Sequence, residues 1–68
     1  MQVTAVLMPA EEGGYVVFNP ETGTTTQGET VEEALANLRE AVELFLEDEP
    51  MKLTRAPLVT TVTIKEHA

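Results

Sequence analysis

Thr30-Val31-Glu32-Glu33-Ala34-Leu35-Ala36-Asn37-Leu38 opens the stretch that decides the fold, and its pattern runs on to Glu49, just before Pro50. Thr30 and Glu33 have the spacing of a capping box. The Thr30 hydroxyl can accept from the Glu33 amide while the Glu33 carboxylate reaches back over the first turn. At about 100° per residue, Val31, Ala34, Leu35, Leu38, Ala41, Val42 and Phe45 fall into one stripe, as in a helix with one face on a core. Pro50 sets the latest end, because the residue before a proline is pushed out of the α region.

Upstream, the period changes. Gln2 to Met8 alternates, with Val3, Ala5 and Leu7 on one face and Thr4, Val6 and Met8 on the other, which predicts a first strand. Pro9 to Gly14 is turn chemistry. Tyr15 to Asn19, rich in β-branched and aromatic residues, predicts a second strand. Asn19-Pro20 and Gly23 mark the next turn, Thr24 to Gln27 a short third strand, and Gly28 its end. Downstream, Leu58 to Ile64 predicts a fourth strand, with Leu58, Thr60, Val62 and Ile64 on one face and Val59, Thr61 and Thr63 on the other.

The expected class is therefore α+β in the order β-β-β-α-β. Short turns make the first three strands an antiparallel meander, and the helix is a crossover to strand four. That crossover is right-handed if strand four joins a neighbour in parallel. One helix covers one face of the sheet. The other face carries Val6, Met8 and Val59, which predicts a subunit pairing on that side.

The chain of 68 residues makes one domain, residues 1–68. A single core below roughly 70–80 residues rarely supplies more than about 3–5 kcal/mol without a further staple. Disulfides are excluded, since the chain has no cysteine. A metal staple is not expected either, because His67 is the only histidine. Oligomerisation is left as the support, so a dimer or larger homo-oligomer is expected, with no cofactor and no metal.

Twelve acidic residues face four basic ones, Arg39, Lys52, Arg55 and Lys65, for a net charge of −8. A nucleic-acid backbone is bound through clustered Lys and Arg. These four are spread along the second half of the chain, so no direct nucleic-acid contact is expected. An acidic surface can serve solubility alone; it also suits a basic protein partner. No apolar run approaches the roughly 20 residues of a membrane span. Met1 to Ala10 reads as a strand without the charged start of a signal peptide. A cytoplasmic protein without membrane contact is expected.

The acids are concentrated on the helix. Glu33, Glu40, Glu43 and Glu47 fall within about 80° of one another, opposite the apolar stripe. Glu47, Asp48 and Glu49 crowd the C-terminal turn, where the helix dipole already favours cations. Leu44 projects among them, where a leucine gains nothing from solvent. A solvated face accounts for the stripe alone. The unfavourable terminus and Leu44 point to a docking face or an oligomer contact.

Catalytic readings fail on geometry. Carboxylates along a convex helix face do not converge as acid–base or metal chemistry needs. The threonines have no internal histidine as base, and there is no serine. Their clusters at Thr24–Thr26 and at Thr60, Thr61 and Thr63 are ordinary β propensity. His67 has no partner in any motif and reads as a tail residue. Gly28-Glu29-Thr30 lacks the glycine spacing and the lysine of a phosphate loop, and Glu29, Glu32 and Glu33 would repel phosphate. The chain is not expected to be an enzyme.

Glu11-Glu12-Gly13-Gly14-Tyr15-Val16-Val17, then Pro20-Glu21, Gly23 and Thr26-Gln27-Gly28-Glu29-Thr30, with Glu33-Ala34-Leu35-Ala36-Asn37 in the helix, together resemble the HicB antitoxin family. The matching pieces are an acidic-Gly-Gly-Tyr strand start, a Pro-acidic turn, a Thr-x-Gly-x-Thr step and a helix opening Glu-Ala-x-x-Asn. They follow the family's order over roughly residues 3–50. The resemblance implies a fold similar to a partial ribonuclease H domain. Ribonuclease H chemistry needs acids presented from the sheet, and Gln2 to Met8 has none. The resemblance also implies a function: binding and occluding a small basic toxin, a HicA-type ribonuclease that cleaves mRNA. The Pro-acidic turn is about one residue shorter than usual for the family, with Thr24 where cysteine is common.

The expected activity is thus protein binding, through Glu33, Glu40, Glu43, Leu44 and Glu47. Only Glu33 of these belongs to the family pattern; the others come from helical geometry. The alternative is an orphan oligomeric HicB-like domain with a scaffolding or regulatory role.

Overall fold

Gly13 and Gly14 carry φ angles of 102° and 77°, which a side chain tolerates poorly, and the chain reverses there. The Ala10 amide donates to the Gly14 carbonyl at 3.0 Å and the Gly13 amide to the Ala10 carbonyl at 3.1 Å. This turn joins β1 (Val6–Pro9) to β2 (Tyr15–Asn19), with Leu7 opposite Val17 and Pro9 opposite Tyr15. A second reversal joins β2 to β3 (Thr24–Gly28), with Val17 opposite Thr26 and Tyr15 opposite Gly28. The sheet is antiparallel with the order β1-β2-β3. Helix α1 (Val31–Asp48) follows. The computed structural model describes residues 1–48 and 57–66.

The α+β class, the three-strand meander and the helix agree with the sequence. Thr30 caps α1: the Glu33 amide donates to Thr30 Oγ1 at 3.1 Å, and Glu33 Oε1 accepts from the Glu29 amide at 3.2 Å. The reciprocal cap reaches one residue further back than the usual box, to Glu29 instead of Thr30. Val17, Ala34, Leu38 and Val42 are buried, with Val3, Leu7, Tyr15 and Leu46 packed against them. Alternation along the strands places Leu7, Val17 and Thr26 under the helix and Val6, Met8, Val16 and Phe18 on the opposite face. α1 lies over β3 and β2, so the β1 side of the sheet is the less covered.

Gly28, expected only to end the third strand, has a further role that does not depend on a positive φ. A Cβ built on it would lie 2.9 Å from Ala34 Cα and from the Glu33 carbonyl carbon. The missing side chain lets the helix approach the third strand. Asn37 reinforces the same contact, its Nδ2 donating to the Gln27 carbonyl at 2.7 Å.

One strand expectation is corrected and another is not shown. The first strand was expected over Gln2–Met8, but the ladder begins at Val6. The backbone of Thr4 is held by side chains instead: its amide donates to Glu21 Oε1 at 2.9 Å and its carbonyl accepts from Asn19 Nδ2 at 2.7 Å. The expected fourth strand, Leu58–Ile64, is not part of the sheet. Residues 57–66 pair with no strand and are exposed throughout. A strand needs a neighbour to satisfy its backbone, and this segment meets none among the described residues. Glu49, Pro50, Lys52, Arg55 and His67, which entered the reading of the helix end, the charge and the tail, lie outside the described residues.

Candidate functional site

The acidic face of α1 follows from the same periodicity that buries Ala34, Leu38 and Val42. Those three fix which way the helix turns, and Glu33, Glu40, Glu43, Leu44 and Glu47 are consequently all exposed. Leu44 is 57% exposed although it is a large apolar side chain. The last turn carries Glu47 and Asp48 and no basic residue. Each exposed acid there is unfavourable by a few tenths of a kcal/mol against the helix dipole.

The five predicted residues are not equivalent. The Glu33 carboxylate is engaged in the cap with the Glu29 amide. Glu43 pairs with Arg39 at 3.6 Å, one helical turn away, in the one ion pair among the described residues. Both side chains are largely in solvent, so the pair is worth little, but it dilutes the negative field at Glu43. The i,i+4 spacing of Arg39 and Glu43 was visible in the sequence. Glu40, Leu44 and Glu47 remain as an exposed face with no side-chain hydrogen bond or ion pair among the described residues.

Two depressions flank the helix. One, of about 500 Å³, is polar and is lined in part by Glu12, Tyr15, Gly28, Glu29, Glu33 and Asn37. Of these, Glu33 and Asn37 are engaged in hydrogen bonds that hold the start of the helix, and Tyr15 packs against the core. The other, of about 490 Å³, is mainly apolar. Met1, Val3 and Ala5 form one wall, Leu35, Val42 and Leu46 the other, with Arg39 and Glu43 at the rim. It runs along the uncovered β1 side. Sequence reading assigned Leu35 to the core stripe, yet it is 38% exposed. Its position at the edge of the stripe was the available signal.

Among the described residues, Glu21 is the one group with a displaced titration. Burial raises its carboxyl, but hydrogen bonds from the Thr4 amide and hydroxyl, its own amide and the Asn19 side chain outweigh that and hold it below its ordinary value of 4.5. Thr4 Oγ1 donates at 2.7 Å and Asn19 Nδ2 at 2.6 Å. Asn19 itself is fully buried, and its Oδ1 accepts from the Thr22 amide at 3.0 Å and hydroxyl at 2.6 Å. Glu21 is therefore a structural acid that pins the N-terminal segment to the β2–β3 turn. Among the described residues, no three His, Asp or Glu side chains converge on a point that could hold a metal ion. No helix among them is long and apolar enough to cross a membrane.

Comparison with known proteins gives the family. The chain is 35% identical to a UPF0150 protein of Thermoplasma acidophilum over 69 residues, covering 100% of both chains. It is 44% identical to a UPF0150 protein of Synechocystis over 48 residues, 69% of this chain and 67% of that one. A UPF0150 protein of Helicobacter pylori is 45% identical over 49 residues, 71% of this chain and 67% of the relative. No solved structure matches the chain. The match that spans nearly the whole sequence, residues 3–65, makes the chain a member of the family of unknown function DUF7387.

Proposed function

We propose that the chain is a HicB-like antitoxin domain that works in the cytoplasm by binding and occluding a small basic mRNA-cleaving toxin. The observation that carries this reading is Leu44, 57% exposed and set between Glu40 and Glu47 on the helix face turned away from the core. An apolar anchor ringed by like charges gains little in water, but it suits a basic surface with an apolar centre. The net charge of −8 steers such a partner toward the chain. A cationic partner also relieves the unfavourable acids of the last helical turn. Binding of this kind requires no catalytic group. In the same reading, Leu58–Ile64 acts as the fourth strand of a sheet similar to a partial ribonuclease H fold once it has a neighbour to pair with.

The adjacent reading frame tests the proposal: a gene there for a basic protein of similar length is expected, and co-expression with it follows. Growth arrest by that protein is expected to be relieved, and the two are expected to co-purify. Arrest that persists at equal expression, with no co-purification, favours the orphan oligomer instead.

A further inference from the structure

The segment 57–66 is the least explained part of the molecule. It reads Pro-Leu-Val-Thr-Thr-Val-Thr-Ile-Lys-Glu, strongly β-prone and with no net charge. Leu58 is 98% exposed, and Val59, Val62 and Ile64 are also open to solvent. Its apolar side chains alternate, with Leu58, Val62 and Ile64 on one face, as in a strand half-buried on a core. Nothing among the described residues of its own chain receives them. The Cα radius of gyration is 14.3 Å, against about 10–11 Å for a compact domain of this length.

The rest of the chain offers a complementary surface. β1 is an edge strand with one neighbour, β2, so one side of its backbone has no ladder partner. Beside that edge lies the apolar groove between Val3 and Ala5 on one wall and Leu35, Val42 and Leu46 on the other. We propose that residues 57–66 of one copy add as a strand along the β1 edge of a second copy, Leu58, Val62 and Ile64 filling its groove, and that the exchange is reciprocal.

Three physical points support a second copy as the occupant. The stretch Met1–Pro9, of which Val6–Pro9 is β1, offers about nine residues of edge to the ten of the segment. Charge permits it: two chains of net charge −8 repel each other, but this segment and groove are surfaces where they can meet with little charge opposed. Size agrees too. The ten residues of the segment and the nine lining the groove make about twenty residues a side, the lower bound of a standard interface. Reciprocal addition also covers the exposed edge of β1, which otherwise invites uncontrolled pairing.

The test is sedimentation equilibrium and light scattering on the full chain. The wild type is expected at twice its 7.4 kDa mass. Val62→Lys with Ile64→Lys alters the segment, and Leu35→Lys alters the groove; each is expected to give a monomer with an unchanged helical circular dichroism signal. Mixing the segment variant with the groove variant is expected to restore a dimer, because one intact segment then meets one intact groove. Met8→Lys, on the opposite face of the sheet, is expected to leave the dimer intact. A wild-type monomer means the segment folds back or stays free, and overturns the proposal. So does a dimer that survives both variants, one broken by Met8→Lys alone, or a mixture that fails to re-form a dimer.

Discussion

Asn19, fully buried at the end of β2, donates from Nδ2 to the carbonyl of Thr4 at 2.7 Å. That contact holds the N-terminal segment where the β-ladder does not reach. Its other bonds, to Glu21 and to the amide and hydroxyl of Thr22, tie the segment to the β2–β3 turn. Val3 is thereby held against the core and beside the apolar groove.

Asn19→Ala leaves several of these groups without partners. An unsatisfied buried polar group costs roughly 1–3 kcal/mol, so a loss of about 2–3 kcal/mol is expected. Small domains have only about 3–5 kcal/mol in hand. The urea midpoint should fall steeply; a midpoint within error of the wild type would show that the network is idle.

Glu21 gives the same network a pH signature. Its folded pKa lies below the ordinary 4.5, so folding is favoured by the ionised form. The contribution is complete above about pH 4.5 and is lost as pH falls through the depressed folded value. Denaturant midpoints measured between neutral pH and about pH 3 should show this loss in the wild type. Glu21→Gln should be less stable at neutral pH and should lack that part of the acid dependence. Parallel pH profiles for the two proteins would remove Glu21 from the account.

Gly28→Ala puts a Cβ 2.9 Å from Ala34 Cα, against backbone that cannot rotate away. Overpacking of this kind costs about 1–3 kcal/mol. Thermal unfolding should show the loss, whereas an unchanged midpoint would mean that α1 shifts freely on β3.

These residues also mark how far the sequence could be read. The helix was legible to its cap because Thr30, Glu33 and the stripe through Leu38 and Val42 obey one period. The turns at Gly13-Gly14 and Asn19-Pro20 were legible from local chemistry. The Asn19–Thr4–Glu21 network was not, since it joins residues 15 and 17 positions apart whose pairing leaves no periodic trace. Gly28 looked like a turn residue; that its hydrogen serves helix contact depends on the distance to Ala34. Leu58–Ile64 has the pattern of a strand, but pattern cannot name the neighbour that a strand requires. On the acidic face, the spacing located Glu40, Leu44 and Glu47 correctly as a shared exposed surface. It did not reveal that Glu33 is engaged in the cap.

Salt should separate the two proposed associations. Attraction between the acidic face and a basic toxin weakens as the Debye length contracts from about 30 Å at 0.01 M salt to about 8 Å at 0.15 M. Self-association of chains of net charge −8 strengthens over the same range. Opposite slopes in the two dissociation constants are expected; slopes of the same sign would contradict the division of labour between helix face and groove.

The most direct measurement of the central claim is the affinity of the basic partner expected from the adjacent reading frame for Glu40→Lys with Glu47→Lys, by calorimetry at low salt. Glu43 is left in place because it lines the groove and pairs with Arg39. A lysine at position 47 complements the helix dipole, so the variant is expected to fold at least as well as the wild type. The account predicts affinity weakened at least tenfold with an unchanged oligomeric state, whereas wild-type affinity in the folded variant would contradict it.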